Sequence, residues 1–296
     1  MRNIILYIYC LLCVTAQVAV AEETKLTPEQ EKNLIWAKNL WQSLDRQHGE
    51  IKLPNGVATL KVPEQFYYLN PVDAEKVLVE VWHNPPTPKR LGMLFPAGST
   101  PFDEAAWAVT IDYEEDGYVA DKDADQIDYK ELLSQMQEDT SAASKERVKQ
   151  GYESIELVGW AANPFYDKKS NKLHWAKEIK FGDQKLNTLN YSIRVLGRKG
   201  VLVLNFIAGI DQLKLIEARL NEVLAIAEFN DGFKYDEFNP SLDKVAAYGI
   251  GALVAGKVIA KTGILITLLL FLKKFGIFIL VGATALAGKF FRRNKS

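Results

Sequence analysis

The chain has 296 residues, of which 25% are charged and 48% hydrophobic, and its formal net charge is −1. That length suits one medium domain or two small ones. All 37 acidic residues lie between Glu22 and Lys244 together with 27 basic ones, so this region is acidic and unsuited to binding nucleic acid.

The first 21 residues have the features of a secretory signal peptide. Arg2 supplies the positive start, residues 4–14 form the apolar stretch, and small residues precede the cleavage position after Ala21. An uncleaved anchor and a lipoprotein signal at Cys13 are the alternatives. Because Cys10 and Cys13 both lie in this segment, we expect a mature chain without disulfides, thiolate nucleophiles or cysteine metal sites.

The elements of the amino-terminal half are marked by local signals. Thr27 and Gln30 form a capping box, with Pro28 at the first helical position, which predicts a helix that ends near Gly49. The Asn55-Gly56 turn predicts a β-hairpin over residues 51–62. Further on, the pattern predicts a short helix from Asn70-Pro71, strands at 91–95 and 107–113, and a long helix that Asp128 caps and that runs to Gly151.

Four strands in quick succession are predicted next, at 157–162, 173–181, 186–196 and 201–208, before a helix capped by Asp211. The third strand alternates apolar and polar residues, and the fourth is apolar on both faces, as a central strand is. Short links between consecutive strands favour antiparallel pairing. The predicted fold class is therefore α+β, with an N-terminal helix over 22–49 and an antiparallel sheet flanked by helices over 50–244.

The tail from Val245 to Ser296 predicts a transmembrane helical anchor, because it has no acidic residue and eight basic ones among long apolar runs. We expect a helix over roughly 246–272 and a second apolar segment over 275–291. Small residues spaced four apart, such as Ala247, Gly251 and Ala255, favour close helix–helix approach and self-association. The basic anchor flanks are Lys257, Lys261, Lys273, Lys274, Lys289, Arg292 and Arg293.

Charge also predicts the topology of the tail. With an exported body, the first crossing places Lys273 and Lys274 on the cytoplasmic side of the inner membrane and leaves the main domain in the periplasm. The second apolar segment then lies in the interface, with a full hairpin or a non-spanning amphipathic tail as alternatives. The predicted partners are the lipid bilayer and either an envelope protein or a second copy of the anchor.

The acidic stretch from Asp112 to Asp128 is the best candidate for chemistry. Asp121, Asp123 and Asp125 resemble the opening of a calcium loop, but Gln126 stands where that loop needs Gly and Leu132 where it needs a bidentate acid. A carboxylate-dependent hydrolase is the other alternative, and His174 with Glu178 is conceivable as an acid–base pair. We assign no catalytic residue, metal ligand or cofactor.

Several short sequence segments are distinctive when taken together. They are Gly117-Tyr118-Val119 before the Asp-rich loop, Leu157-Val158-Gly159-Trp160, the run from Leu189 to Arg198, the run from Asp243 to Gly249, and residues 271–275. With them the chain closely resembles the bacterial membrane-protein family known as domain of unknown function 2167. The order of strands and helices is also similar to the Mog1/PsbP-type α/β/α sandwich, which implies a binding or accessory role by analogy of fold alone.

These observations predict a membrane-anchored extracytoplasmic module of the bacterial envelope. Its expected role is to bind or support another envelope component. The alternatives are the carboxylate-dependent hydrolase and a calcium-responsive module that uses residues 112–128.

Overall fold

The computed structural model describes residues 27–86 and 90–255. The chain divides into two compact units, residues 1–43 and 44–296. In the first, the described part is helix α1 (Pro28–Ser43), and the predicted capping box is present, because Thr27 and Gln30 exchange backbone-to-side-chain bonds of 2.9 and 3.2 Å. The helix is shorter than the sequence predicted, since one strand covers Arg46–Gln47 and the next begins at Gly49 itself.

The second unit is built around an eight-stranded antiparallel sheet in the order β1-β4-β5-β6-β10-β9-β8-β7. Beside it, a three-stranded sheet in the order β11-β3-β2 contains the predicted Asn55-Gly56 hairpin. The strands are β1 (Arg46–Gln47), β2 (Gly49–Lys52), β3 (Ala58–Val62), β4 (Phe66–Leu69), β5 (Gly92–Pro96), β6 (Ala108–Glu114), β7 (Ile155–Asp167), β8 (Lys172–Phe181), β9 (Thr188–Leu196), β10 (Val201–Gly209) and β11 (Ala227–Phe229). The predicted mixed α+β class with a large antiparallel sheet is confirmed.

The described part of this unit also contains the α-helices α2 (Pro71–Lys76), α3 (Tyr129–Lys149), α4 (Leu213–Ile226) and α5 (Ile250–Ala255). Asp128 caps α3 as predicted, with bonds of 2.9 and 3.0 Å from backbone N–H groups. The predicted cap at Asp211 is wrong. A 3₁₀ turn over Ile210–Gln212 leads into α4, and the Gln212 side chain accepts from the N–H of Gly209 instead.

Apolar side chains cover both faces of the large sheet. On one face, β9 and β10 pack against the small sheet and α4 through residues such as Ile193, Leu204 and Ile216. On the other face, Leu173 and Val203 belong to a cluster with residues of α3 and α5. We call this second side the α3 face. Helix α2 and a π-helical turn over Val77–Val81 follow β4 in the chain.

Of the predicted anchor, residues 245–255 lie in the described part, and of these only Ile250–Ala255 are helical, as the short helix α5. Within residues 27–86 and 90–255, none of the helices combines the length and apolar character that a bilayer crossing requires. Residues 256–272 of the helix predicted over 246–272, the second apolar segment predicted over 275–291 and all seven predicted anchor flanks lie outside the described residues.

Candidate functional site

The acidic stretch from Asp112 to Asp128 is spread over several structural contacts. Asp125 pairs with Lys168 at the surface at 2.6 Å, and Asp128 serves as the cap of α3. Across the described ranges 27–86 and 90–255, His, Cys, Asp and Glu side chains form no group of three or more that could hold a metal ion. The carboxylates of this stretch act mainly as hydrogen-bond acceptors for other parts of the fold.

Two of these acids fasten the start of the C-terminal segment. The Asp116 carboxylate accepts from the Tyr248 hydroxyl at 2.6 Å. The Asp123 carboxylate accepts from the backbone N–H groups of Ile250 at 3.0 Å and Gly251 at 3.3 Å, which are the first residues of α5. A carboxylate at this position also compensates the N–H groups that a helix leaves unpaired at its beginning.

The backbone adds a second attachment next to these acids. The N–H of Tyr118 donates to the Lys244 carbonyl, and the N–H of Ala246 donates to the Tyr118 carbonyl, both at 2.8 Å. Just before this pairing, Arg198 holds Asp243 at 2.7 Å. We call the contacts of Asp116, Tyr118 and Asp123 with residues 244–251 the clasp.

Two glycines allow the clasp to close. A Cβ atom on Gly117, whose φ is +105°, would lie 2.5 Å from the Lys244 carbonyl oxygen. A Cβ atom on Gly249 would lie 2.4 Å from the Asp123 carboxylate. Because real Cβ atoms do not approach other atoms this closely, the loop and the C-terminal segment require glycine at both positions.

Burial and the bond to Asp116 both raise the pKa of Tyr248. The phenol therefore stays protonated and donates to Asp116 at physiological pH. Three buried apolar residues of α5, Ile250, Leu253 and Val254, pack in the same cluster as Trp175 of β8. The first residues of the predicted anchor are thus an integral part of the domain.

A second group of polar residues lies on the α3 face of the large sheet. One row of directly opposed residues crosses the sheet as Thr110, Asn205, Ser192 and Trp175. The neighbouring rows contribute Asn190 opposite Lys177, and Arg194 opposite Leu173. We call the set of Thr110, Trp175, Lys177, Asn190, Ser192, Arg194 and Asn205 the polar patch.

Burial in the polar patch shifts the pKa values of its charged groups. Burial, and then the positive charge of Arg194, lowers the pKa of Lys177 to about 8. Burial likewise lowers the pKa of Arg194, against the opposing effect of Glu114 and Asp112. On the edge of the patch, burial raises the pKa of Asp112, although its ion pair with Arg90 at 3.3 Å acts in the opposite direction. Each of these shifts indicates a charge removed from bulk water.

A cavity of about 800 Å³ lies at the end of the large sheet. Thr188, which precedes Asn190 by two residues on β9 and shares its face, forms part of the lining. Other parts come from the turn after Val81 and from the end of α3, including Arg147. The lining of this cavity does not include any member of the polar patch, and Arg194 lies six residues from Thr188 along β9, about 20 Å away.

The sequence-based candidates outside the acidic stretch do not form a site. His174 and Glu178 lie four residues apart on β8, which in a strand corresponds to about 13 Å. Glu178 instead accepts from the Asn187 side chain at 2.6 Å. The two side chains are therefore too far apart to act as an acid–base pair.

The polar patch was not predicted from the sequence. Thr188, Asn190, Ser192 and Arg194 have the pattern of the polar face of an alternating strand, and such a face is usually exposed to solvent. In the structure Ser192 is 2% exposed and Arg194 is half-buried. A signal was available, because three consecutive strands with apolar cores carry Lys177, Arg194 and Asn205 in their middle positions.

Comparison with solved structures gives weak similarities. Cyanobacterial PsbP from Synechocystis sp. PCC 6803 matches with 10% identity and a TM-score of 0.35, covering 64% of this chain and 93% of PsbP. The Ran-binding protein Mog1p from Saccharomyces cerevisiae matches with 11% identity and a TM-score of 0.30, covering 67% of this chain and 100% of Mog1p. A search among curated proteins finds no significant match.

The profile of one family covers most of the chain, from residue 45 to residue 284, and so includes the large sheet, the clasp and the polar patch. The sequence segments that resemble this family all lie within the matched range. The chain therefore belongs to the family described as "Protein of unknown function (DUF2167)".

Proposed function

We propose that the chain is a membrane-tethered, extracytoplasmic binding or accessory module of the bacterial envelope. The observation that carries this proposal is the clasp, through which Asp116, Tyr118 and Asp123 bind residues 244–251. The clasp makes the beginning of the tail part of the folded body. A tether that starts in this way holds the domain in a defined orientation at the membrane surface.

Charge and hydropathy support the membrane as the target of the tail. Residues 256–296 follow directly after α5, and they contain the eight basic residues of the tail and no acidic one. Each Lys or Arg near an anionic lipid surface contributes about 1 kcal/mol of attraction. The apolar runs between the basic residues supply the hydrophobic component of binding.

The direction of insertion follows from the two ends of the chain. An N-terminal signal over residues 1–21 exports the body to the periplasm, and Lys273-Lys274 and Arg292-Arg293 then favour the cytoplasmic side of the inner membrane. In this arrangement the partners are the lipid bilayer and an envelope protein or a second copy of the anchor. We also propose that the domain is a Mog1/PsbP-type α/β/α sandwich with a C-terminal transmembrane anchor.

The two alternative functions receive no specific support. A calcium loop or a hydrolase site needs several carboxylates that converge on one ion or one bond. Asp116, Asp123, Asp125 and Asp128 each bind a different part of the fold. We therefore retain the tethered module as the single proposal.

Alkaline carbonate extraction of membranes tests the tether. We expect the full chain to stay in the membrane pellet and a chain truncated after Ala255 to appear in the soluble fraction. The Asp123→Ala variant is the matched control, because it weakens the clasp but keeps the tail, and it should stay in the pellet. Release of the full chain by carbonate would contradict the proposal.

A further inference from the structure

Several buried polar atoms on the α3 face have no hydrogen-bond partner within the part of the chain that the structure describes. They are Nε of Arg90, Oγ1 of Thr110, Nε1 of Trp175, and Nε and Nη1 of Arg194. Thr110 and Trp175 belong to the same row across the sheet and are only 1% and 2% exposed. Buried polar groups in folded proteins nearly always have partners, so such a concentration indicates a missing ligand.

The chemistry of these atoms defines what is missing. The indole N–H of Trp175 and the guanidinium N–H groups of Arg90 and Arg194 can only donate, and the Thr110 hydroxyl can donate as well. The complementary group must therefore offer several lone pairs. Carboxylate and phosphate oxygens meet this requirement and bind charged donors most strongly.

The two cations of the patch lie near enough to interact, because the charge of Arg194 lowers the pKa of Lys177. The Arg194 guanidinium lies over the Trp175 ring, 4.9 Å from its centroid, and so leans toward β8, the strand that carries Lys177. Among the described residues, neither Lys177 nor Arg194 forms an ion pair. Two such cations repel each other unless an anion lies between them.

Two acidic residues, Glu114 and Asp112, lie near enough to Arg194 for their charges to raise its pKa. Asp112 is engaged by Arg90, and neither Nε nor Nη1 of Arg194 has an acceptor. Residues 245–296 contain no aspartate or glutamate. Among the described residues, no acidic side chain therefore accepts from these donors, and an oxyanion from outside the chain can do so.

We infer that Trp175, Lys177 and Arg194 form a binding site for a small ligand that carries an oxyanion group, either a carboxylate or a phosphate, and that Thr110, about 14 Å away across three strand spacings, binds another part of the same ligand. Asn190 and Asn205 lie in the same rows and can bind further polar groups of the ligand. The inference goes beyond the proposed function and does not require the tether, because all four residues lie within the described sheet.

Titration of the full chain in detergent with sodium phosphate, sodium acetate or sodium chloride at equal ionic strength and pH 7 tests this site. The reporter is the indole N–H signal of Trp175 in a nitrogen–proton NMR spectrum, identified by its loss in Trp175→Phe. We expect a saturable shift with phosphate, with acetate or with both, and none with chloride. The anion that binds identifies the ligand as a phosphate or a carboxylate.

Two variants on β8 make the test specific. Lys177→Met should weaken binding of the effective anion by at least about tenfold, because it removes a cation from the site. Lys180→Met is the matched control, since Lys180 is exposed on the same strand, and its affinity should stay within about twofold of the wild type. If Lys177→Met does not fold, the wild-type titration alone decides. The inference fails if neither oxyanion shifts the signal, or if Lys180→Met weakens binding as much as Lys177→Met.

Discussion

Replacing Asp123 by alanine should loosen the C-terminal segment from the domain without unfolding the sheet. The Asp123 carboxylate accepts two backbone bonds at the start of α5, from Ile250 at 3.0 Å and Gly251 at 3.3 Å. Bonds to a charged acceptor contribute about 1.5–3 kcal/mol each. Because the second bond is long, we expect a total loss of about 3 kcal/mol, which raises the open fraction of the clasp about a hundredfold.

Hydrogen exchange at the remaining clasp contacts measures this opening. The N–H groups of Tyr118 and Ala246 bond to Lys244 and Tyr118 and do not touch Asp123, so they report on the segment and not on the deleted group. Both should exchange about a hundredfold faster in Asp123→Ala.

The control for this experiment is Asp125→Ala, which lies in the same loop. It removes only an exposed ion pair with Lys168, and such pairs contribute about 0.2–1 kcal/mol. Exchange at Tyr118 and Ala246 should therefore change little. Unchanged exchange in Asp123→Ala, or an equal effect of Asp125→Ala, would refute the reasoning.

Two further predictions concern close packing and buried charge. Gly249→Ala should lower the free energy of unfolding by about 1–3 kcal/mol, because the new Cβ would lie 2.4 Å from the Asp123 carboxylate. Chemical denaturation measures this change. The control is Gly159→Ala, which should change the free energy of unfolding little, because the space around its Cβ is open. The lowered pKa of Lys177, about 8 against its usual 10.5, means that the unfolded chain binds more protons between these pH values, so stability rises with pH there. Relative to Lys177→Met, the wild type should gain up to about 3 kcal/mol between pH 8 and pH 10.5, and parallel stability profiles of the two proteins would contradict this prediction.

The sequence predicted the elements whose signals are local. The capping box at Thr27 and Gln30, the Asn55-Gly56 turn and the cap at Asp128 each act within four residues, so their partners are visible in the sequence. Strand β4 was missed because Phe66–Leu69 is buried at every position and shows no alternation. Strand β1 has only two residues and offers almost no pattern.

The roles of the acidic residues could not be predicted because their partners are distant in the sequence. Asp123 and Ile250 are separated by 127 positions, and Asp116 and Tyr248 by 132. A dense acidic stretch therefore looked like one site, although the fold assigns its carboxylates to different elements. Only the tertiary structure determines which backbone N–H or hydroxyl each of them receives.

The polar patch depends on the register of four strands. Thr110, Asn205, Ser192 and Trp175 become neighbours only when β6, β10, β9 and β8 pair in one particular alignment. A shift of one residue in any strand would turn its side chain to the opposite face. Single polar residues in apolar strands can be recognised in a sequence, but their convergence cannot.

Protease accessibility of two tags tests the tethered arrangement most directly. One tag follows the predicted signal at Glu22 and the other follows Ser296, and both are probed in intact spheroplasts and after lysis. We predict that protease removes the Glu22 tag from intact spheroplasts, while the Ser296 tag is removed only after lysis. Protection of the Glu22 tag in intact spheroplasts would contradict an extracytoplasmic domain held at the membrane by its C-terminal segment.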